Sequence, residues 1–119
     1  MSTSPLERDY GERTVVGLHD FRGFAAQAAR LVARGRAAFD DDEMLRLAGD
    51  AVIVKLGACV ARMDDRFVDG HPDLALRLVK DMRNLVAHQY DAIRPGIAWN
   101  TLERDLPAID AQVGRLLGG

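Results

Sequence analysis

Apolar residues recur three and four positions apart along most of this chain, which is the spacing of amphipathic α-helices. In the first such stretch, residues 15–39, one apolar stripe predicts a single long helix. The stripe consists of Leu18, Phe21, Phe24, Ala25, Ala28, Leu31 and Val32. Upstream, Ser4 and Glu7 have the spacing of a capping box around Pro5, which predicts a helix start near residue 5. Residues 1–14 are therefore expected to form an extension that is partly flexible or helical.

The second apolar stretch, residues 42–67, is apolar on more than one side of the predicted helix. Its main stripe consists of Leu45, Ala48, Val52, Leu56, Cys59, Met63 and Phe67. Further apolar surface lies outside this stripe at Ala51, Ile53, Val54 and Val60. A helix that is apolar on two sides is usually buried on two sides. In a chain of 119 residues we expect the second side to be buried against another copy of the same chain.

Two more helices are predicted, at residues 72–90 and 97–117. Residues 94–96 read Arg-Pro-Gly, which predicts a tight turn between them. Pro107 lies inside the last stretch and predicts either a kink or the start of a new helix. No stretch alternates polar and apolar residues as a half-buried strand does. We therefore predict an all-α fold, an up-and-down bundle of four to five helices with one domain over residues 15–119.

The composition limits which cellular compartment and which class of binding partner we expect. No wholly apolar run is longer than four residues, as at 51–54, which is too short to span a membrane, and the N-terminus lacks the apolar stretch of a secretion signal. Cys59 is the single cysteine, which excludes an internal disulfide and fits a reducing compartment. We therefore predict a cytoplasmic protein that does not bind a membrane. The net charge of −2 does not by itself indicate a nucleic-acid binder.

Arginine supplies nearly all of the positive charge, since only two of the 16 basic residues are lysine. One group lies on the first predicted helix and consists of Arg22, Arg30, Arg34 and Arg36. A second group, Arg77, Lys80 and Arg83, lies on the third. The first group is typical of a solvated helix face, and its arginines would bind phosphates only if they converge in space.

Candidate chemistry is concentrated in residues 82–90, which read MRNLVAHQY. This stretch places Arg83, Asn84, His88 and Tyr90 at the end of an otherwise apolar helix. Arg83 and His88 are five positions apart, so they point about 140° apart around the axis and are separated by about 7.5 Å along it. One copy of the helix therefore does not bring them together. A two-fold axis near this helix end would line one cleft with both arginines and both histidines.

Such a cleft has the groups needed to cleave RNA without a metal. Histidine takes and gives protons near neutral pH, and arginine stabilises negative charge that develops on a phosphoryl group. One histidine would activate the 2′-OH and the other would protonate the leaving 5′-oxygen. Zinc motifs, cysteine pairs, phosphate-binding glycine loops and serine nucleophile elbows are absent from the sequence, so no metal and no cofactor is predicted. The acidic residues 40–42 are interpreted as a helix start.

The residue types alone also allow a purely structural interpretation. In that interpretation His88 is a cationic residue that stabilises a helix C-terminus, with Asn84 on the surface and Tyr90 in the core. His19 and His71 have no comparable neighbours in sequence and are interpreted as structural. The spacing of these residues in the sequence does not distinguish the catalytic from the structural interpretation.

Arg83, His88 and Tyr90 match the pattern R-x4-H-x-Y, and in this respect the chain resembles the HEPN superfamily. It is most similar to the HepT-like toxins of toxin–antitoxin pairs with a minimal nucleotidyltransferase (MNT). The similarity includes His71-Pro72 before the motif helix, then Trp99, and then residues 105–107, Asp-Leu-Pro. It therefore extends over about residues 15–117. One feature is missing, because residues 55–59 contain no clear counterpart of the glycine–glutamate step of the family's middle helix.

The resemblance implies a HEPN-like bundle that dimerises around the motif helix and cleaves RNA without a metal. Arg83 and His88 would be the ribonuclease pair, and Asn84 would orient them. Tyr90 would be the hydroxyl that the nucleotidyltransferase antitoxin modifies with AMP, which silences the toxin. The missing glutamate leaves a second hypothesis open, a HEPN domain without catalysis that serves as a binding subunit for the nucleotidyltransferase. The sequence does not say whether the RNA target is a transfer or a messenger RNA.

Overall fold

The computed structural model describes residues 4–88 and 95–118, and within these ranges it contains helices and turns but no strand. The first five helices are α1 (Pro5–Tyr10), α2 (Glu12–Val32), α3 (Arg36–Asp41), α4 (Glu43–Ala61) and α5 (Asp65–Gly70). They are followed by a 3₁₀ turn (Pro72–Leu74), α6 (Leu76–His88), α7 (Pro95–Asn100), a π-helical segment (Thr101–Asp105) and α8 (Leu106–Gly118). The predicted all-α class is confirmed. No helix in the described ranges is long and apolar enough to cross a membrane.

Short polar side chains start several of these helices. Ser4 Oγ accepts a hydrogen bond from the Glu7 N–H at 3.2 Å, as the capping pattern predicts. Asp42 accepts from the Met44 N–H at 2.9 Å, so the acidic run is a helix start. Each bond satisfies a backbone donor that has no partner inside its helix.

The two long predicted helices are shorter in the structure, and the prediction was wrong about where they end. The first stops at Val32, because Gly35 follows with a backbone φ of 91°, which residues other than glycine rarely adopt. α3 then begins at Arg36, and it carries the buried Phe39. The second stops at Ala61, because Asp64 caps a new short helix by accepting from the Arg66 N–H at 2.8 Å.

The later predicted boundaries also differ in part. The third helix begins at Leu76, since a 3₁₀ turn and Ala75 with a φ of 57° precede it. Arg94 of the predicted tight turn lies outside the described residues, and the structure places the following proline and glycine in α7. Near Pro107 a new helix begins, which is one of the two predicted outcomes. This helix follows the π-helical segment, whose last hydrogen bond runs from the Leu106 N–H to the carbonyl of Thr101, five residues earlier.

α4 is the central helix of the bundle, because it packs against α2 on one side and against α6 on the other. α2 runs antiparallel to it, since the Asp64 N–H donates to Thr14 Oγ1 at 2.8 Å near the start of α2. α8 packs back against α2. The largest side chains with almost no exposed area are Phe21, Phe39, Phe67, Leu18, Ile53, Leu56, Leu76 and Leu102. They form one core, whose burial supplies the main stabilising free energy.

The described part of the N-terminal extension is helical and rests on α5. The Tyr10 ring meets the Phe67 ring edge-on, with 5.2 Å between the ring centroids. The Arg66 guanidinium lies 5.7 Å from the centre of the Tyr10 ring and donates to the Asp9 carbonyl at 2.9 Å. These contacts tie α1 to the bundle at the end remote from the motif.

Candidate active site

Arg83 lies on the side of α6 that faces α4, at a point where the two helices approach very closely. The residue opposite is Gly57. A Cβ atom at Gly57 would lie 2.3 Å from the Arg83 Cβ and 2.5 Å from its Cγ. Carbon atoms do not approach each other so closely, and therefore only glycine permits this contact. The arginine stem is held against the backbone of α4.

The Arg83 guanidinium is positioned by one neighbour, and one of its remaining donors is buried. Its Nη1 donates to Asn84 Oδ1 at 3.2 Å. Its Nε is buried and has no hydrogen-bond partner. A buried donor without an acceptor costs free energy, and native proteins rarely leave one. Arg83 is half-buried, and the other N–H groups at the tip of its guanidinium have no hydrogen bond to the described residues, so these groups can bind an anionic oxygen.

His88 is the last residue of α6, and its side chain is exposed. α6 is continuous α-helix from Leu76 to His88, so the directions expected from helix geometry apply. His88 therefore points about 140° away from Arg83 around the axis. Within one copy of the chain the structure does not bring the two side chains together. Tyr90, the predicted modification site, lies outside the described residues.

α4 and α6 run antiparallel, so the first half of α4 flanks the end of α6 that carries the motif. The direction follows from two contacts: Gly57 meets Arg83, while Ala61 lines one cavity together with Lys80. On the outer side of this half of α4, Met44 is 70% exposed and Leu47 is 55% exposed. Of the apolar residues predicted outside the main stripe of this helix, Ile53 and Val60 are buried within one copy, so their burial requires no second copy, contrary to the prediction. The uncovered apolar surface on this half of α4 belongs to Met44 and Leu47 instead.

A family model described as "Ribonuclease HepT-like" matches residues 22–116. The chain belongs to the HepT-like ribonuclease family of the HEPN superfamily. The resemblance inferred from the motif is confirmed, and with it the assignment as a HEPN-type ribonuclease domain. No curated protein and no solved structure matches the chain.

Other candidate groups are engaged elsewhere in this family member. His71 Nδ1–H donates to the Phe67 carbonyl at 2.8 Å, and its ring stacks on Phe67 with 4.4 Å between the centroids. Its role is therefore structural, as its surroundings in sequence indicate. His19 is exposed on α2. The described residues contain no group of three or more metal-ligating side chains.

Several arginines of the two predicted basic groups are neutralised by carboxylates. Arg22 Nε lies 3.0 Å from Asp110 Oδ1, and Arg36 Nε lies 3.1 Å from Asp40 Oδ2. Arg77 pairs with Asp69. These exposed pairs contribute little to stability, about 0–1 kcal/mol each. The first group does not converge into a phosphate site, and the solvated-face interpretation describes it better.

Burial shifts the pKa of two side chains in α4. Burial raises the pKa of the Asp50 carboxyl. Burial also raises the pKa of the Cys59 thiol, although the hydrogen bond from Arg62 acts in the opposite direction. Cys59 is a buried core residue, as expected for a lone cysteine in apolar surroundings.

Gly57 is the site residue that reasoning from the sequence missed. A glycine inside a predicted buried helix is a usable signal, because it lowers helix stability unless close packing requires it. Its meaning depends on which residue lies opposite, and the sequence does not state that. The next residue, Ala58, is exposed and has no carboxylate, so the structure gives no substitute for the family's glutamate at this position.

Proposed function

We propose that this chain is the toxin of a toxin–antitoxin system and acts as a metal-independent endoribonuclease. One observation carries the proposal: the half-buried guanidinium of Arg83 is held by Gly57 and Asn84, and the other N–H groups at its tip have no hydrogen bond to the described residues. A phosphoryl oxygen supplies an acceptor for those groups, and the bond strengthens as negative charge develops on it. Membership of a ribonuclease family supports RNA as the bearer of the phosphate.

The reaction uses the 2′-OH of the RNA as the nucleophile. His88 of one copy accepts the 2′-OH proton while that oxygen bonds to phosphorus. The bond from phosphorus to the 5′-oxygen breaks, and the partner's His88 gives this leaving oxygen a proton. The products are a 2′,3′-cyclic phosphate and a free 5′-OH. Arg83 stabilises the additional negative charge on the phosphorane oxygens, and proton transfer by a positioned histidine accelerates such steps by about 10²–10⁴.

The cleft in this proposal requires two copies of the chain. Arg83 and His88 diverge within α6, whereas a two-fold axis near the end of that helix places both pairs in one cleft. The exposed Met44 and Leu47 on α4 flank the same end. Covering them with a second copy removes apolar surface from water, which stabilises by about 25 cal/mol per Å². The outer side of α4 is therefore the surface proposed for the homodimer.

A substitution that disrupts the proposed dimer surface tests the function. Leu47→Asp should raise the dimer dissociation constant by at least about tenfold, since burial of one leucine stabilises by about 1.5–3 kcal/mol and about 1.4 kcal/mol is tenfold. Purified wild type should be dimeric and should cleave RNA in EDTA, and Leu47→Asp should cleave less at equal concentration. Light scattering and a labelled-RNA digest measure the two properties.

Val16→Asp is the matched control, because Val16 is also exposed and lies near the opposite end of α4. It should remain dimeric and active. A monomeric wild type that cleaves RNA would contradict the shared cleft. Loss of cleavage on chelation would contradict the metal-free reaction.

Tyr90 is the proposed control point, modified with AMP by a cognate nucleotidyltransferase antitoxin. An adenylylated tyrosine near the cleft adds bulk and negative charge where an RNA phosphate must bind, so repulsion and occlusion both inhibit. Tyrosine occurs only twice in the chain, at Tyr10 and Tyr90. After co-expression with the nucleotidyltransferase, mass spectrometry should find one or more AMP units on wild type and on Tyr10→Phe, but none on Tyr90→Phe. AMP that remains on Tyr90→Phe would remove this residue from the control role.

A second candidate function is supported by the absence of a carboxylate beside Gly57, where Ala58 is exposed. In this alternative the chain binds the nucleotidyltransferase but does not cleave RNA. The same digest separates the two functions. Purified wild type that binds the nucleotidyltransferase and leaves every RNA intact would favour the binding subunit.

A further inference from the structure

Lys80 lies one turn before Arg83 on the same side of α6. Residues three apart in a helix are neighbours, with about 5–6 Å between their Cβ atoms. α6 is regular from Leu76 to His88, so the two cations form a short row that faces α4. The row leads away from the motif end, toward the N-terminus of α6.

The side of α4 that faces this row carries small residues. Gly57 lies against Arg83, and Ala61 lies one turn further along α4. Beyond Arg83 a cavity of about 220 Å³ lies between α4, α5 and α6, and its lining includes Ala61, Lys80 and Arg77. The helices are in contact at Gly57 and Arg83, so the groove between α4 and α6 opens one turn further along, at Lys80.

The charges along this groove are not uniform. Lys80 is exposed and has no ion pair within the described ranges. Arg77, one turn further on, is neutralised by Asp69, and Asp65 lines the same end of the cavity. A path from the motif end over Arg83 into the groove therefore meets free positive charge at Arg83 and Lys80 and becomes acidic beyond them. A polyanion that enters from the motif end meets two attractive positions and is then repelled.

We propose that Lys80 binds the phosphate next to the scissile phosphate, so that single-stranded RNA runs from the cleft over Arg83 to the groove that opens at Lys80. This inference rests on the proposed ribonuclease function, because it takes Arg83 as the contact of the scissile phosphate. It adds the path of the substrate and a contact beyond the cleavage point. Lys80 contributes to RNA affinity and takes no part in proton transfer.

The chain contains a matched control, because its two lysines lie on opposite sides of α4. Lys55 lines the groove between α2 and α4, together with His19 and Gln27. The variants Lys80→Gln and Lys55→Gln make the same change in charge at exposed positions. The probe is a fluorescent single-stranded 2′-O-methyl RNA, which binds like RNA but has no 2′-OH to attack. Fluorescence anisotropy measures Kd for the dimer at several salt concentrations.

Lys80→Gln should raise Kd by about three- to tenfold at low salt and should reduce the slope of log Kd against log salt by about 0.7, the value for one contact to a single-stranded phosphate. Lys55→Gln should leave both values unchanged. Thermal unfolding of the variants checks that both are folded.

Four results would overturn the inference. Lys80→Gln could keep the wild-type Kd and salt slope, or both variants could lose RNA affinity equally. The wild type could fail to bind RNA, or Lys80→Gln could keep its RNA affinity but form a weaker dimer. The last result would assign Lys80 to the interface between copies. The assay requires no cleavage, so its outcome is separate from that of the ribonuclease proposal. Selective loss in Lys80→Gln would support the groove even for a wild type that fails to cut RNA.

Discussion

His88→Ala should slow RNA cleavage by a factor of about 10²–10⁴, which is the contribution of a positioned general acid or base. His88 is exposed at the end of α6, so the substitution removes no core contact and the thermal unfolding temperature should stay near that of wild type. Initial rates on a labelled RNA measure the loss. In cells, expression of wild type without its antitoxin should arrest growth, whereas expression of His88→Ala should not.

His19→Ala is the control for this prediction, because His19 is also exposed but lies on α2. It should cleave at the wild-type rate. Arg83→Ala should lose activity in the same assay, since it removes the cation that stabilises the phosphorane. If wild type, His88→Ala and Arg83→Ala all leave growth and RNA untouched, the toxin proposal fails. If His88→Ala cleaves as fast as wild type, proton transfer belongs to another residue.

Gly57→Ala should impair both stability and activity. The new methyl group would lie 2.3 Å from the Arg83 Cβ, so α4 and α6 must separate or the arginine must move. Overpacking of this kind costs about 1–3 kcal/mol, which outweighs the advantage of about 1 kcal/mol that alanine has over glycine in a helix. A displaced guanidinium should lower the cleavage rate by about 10², the effect of a misplacement of about 1 Å. Urea unfolding and initial rates measure the two losses.

Gly23→Ala is the matched control, because Gly23 lies inside α2 and a Cβ atom there meets nothing within 4 Å. This variant should be stabilised by about 0.5–1 kcal/mol, since alanine loses less conformational entropy in a helix. Its activity should equal that of wild type. If Gly57→Ala were as stable and as active as Gly23→Ala, the close approach of α4 to Arg83 would have no functional meaning.

The helical fold was predictable because helices are encoded locally. Apolar spacing and the caps at Ser4 and Asp42 act over three or four residues, so they can be read from the sequence. The predicted helices were too long where a backbone conformation intervened. Gly35 and Ala75 have positive φ, and alanine in particular shows no sign of this in the sequence. Its conformation is imposed by the packing of Leu74 and Leu76 on either side, both of which are buried.

The candidate site was predictable only as a set of residues. The pattern from Arg83 to Tyr90 can be read directly, and helix geometry already states that Arg83 and His88 diverge. The roles of these residues and the second copy of the chain stay predictions. The partner of Arg83 on α4 could not be predicted, because Gly57 is 26 positions away and the pairing depends on how two helices pack.

From its sequence alone this chain is an all-α protein with an R-x4-H-x-Y motif at the end of one helix, because periodicity, caps and motif spacing are properties of neighbouring residues. The tertiary structure decided which side of α4 meets Arg83, that its Nε is buried without an acceptor, and which basic residues are neutralised by carboxylates. These features depend on distances between helices. Such distances result from the packing of the whole core, which no local pattern specifies.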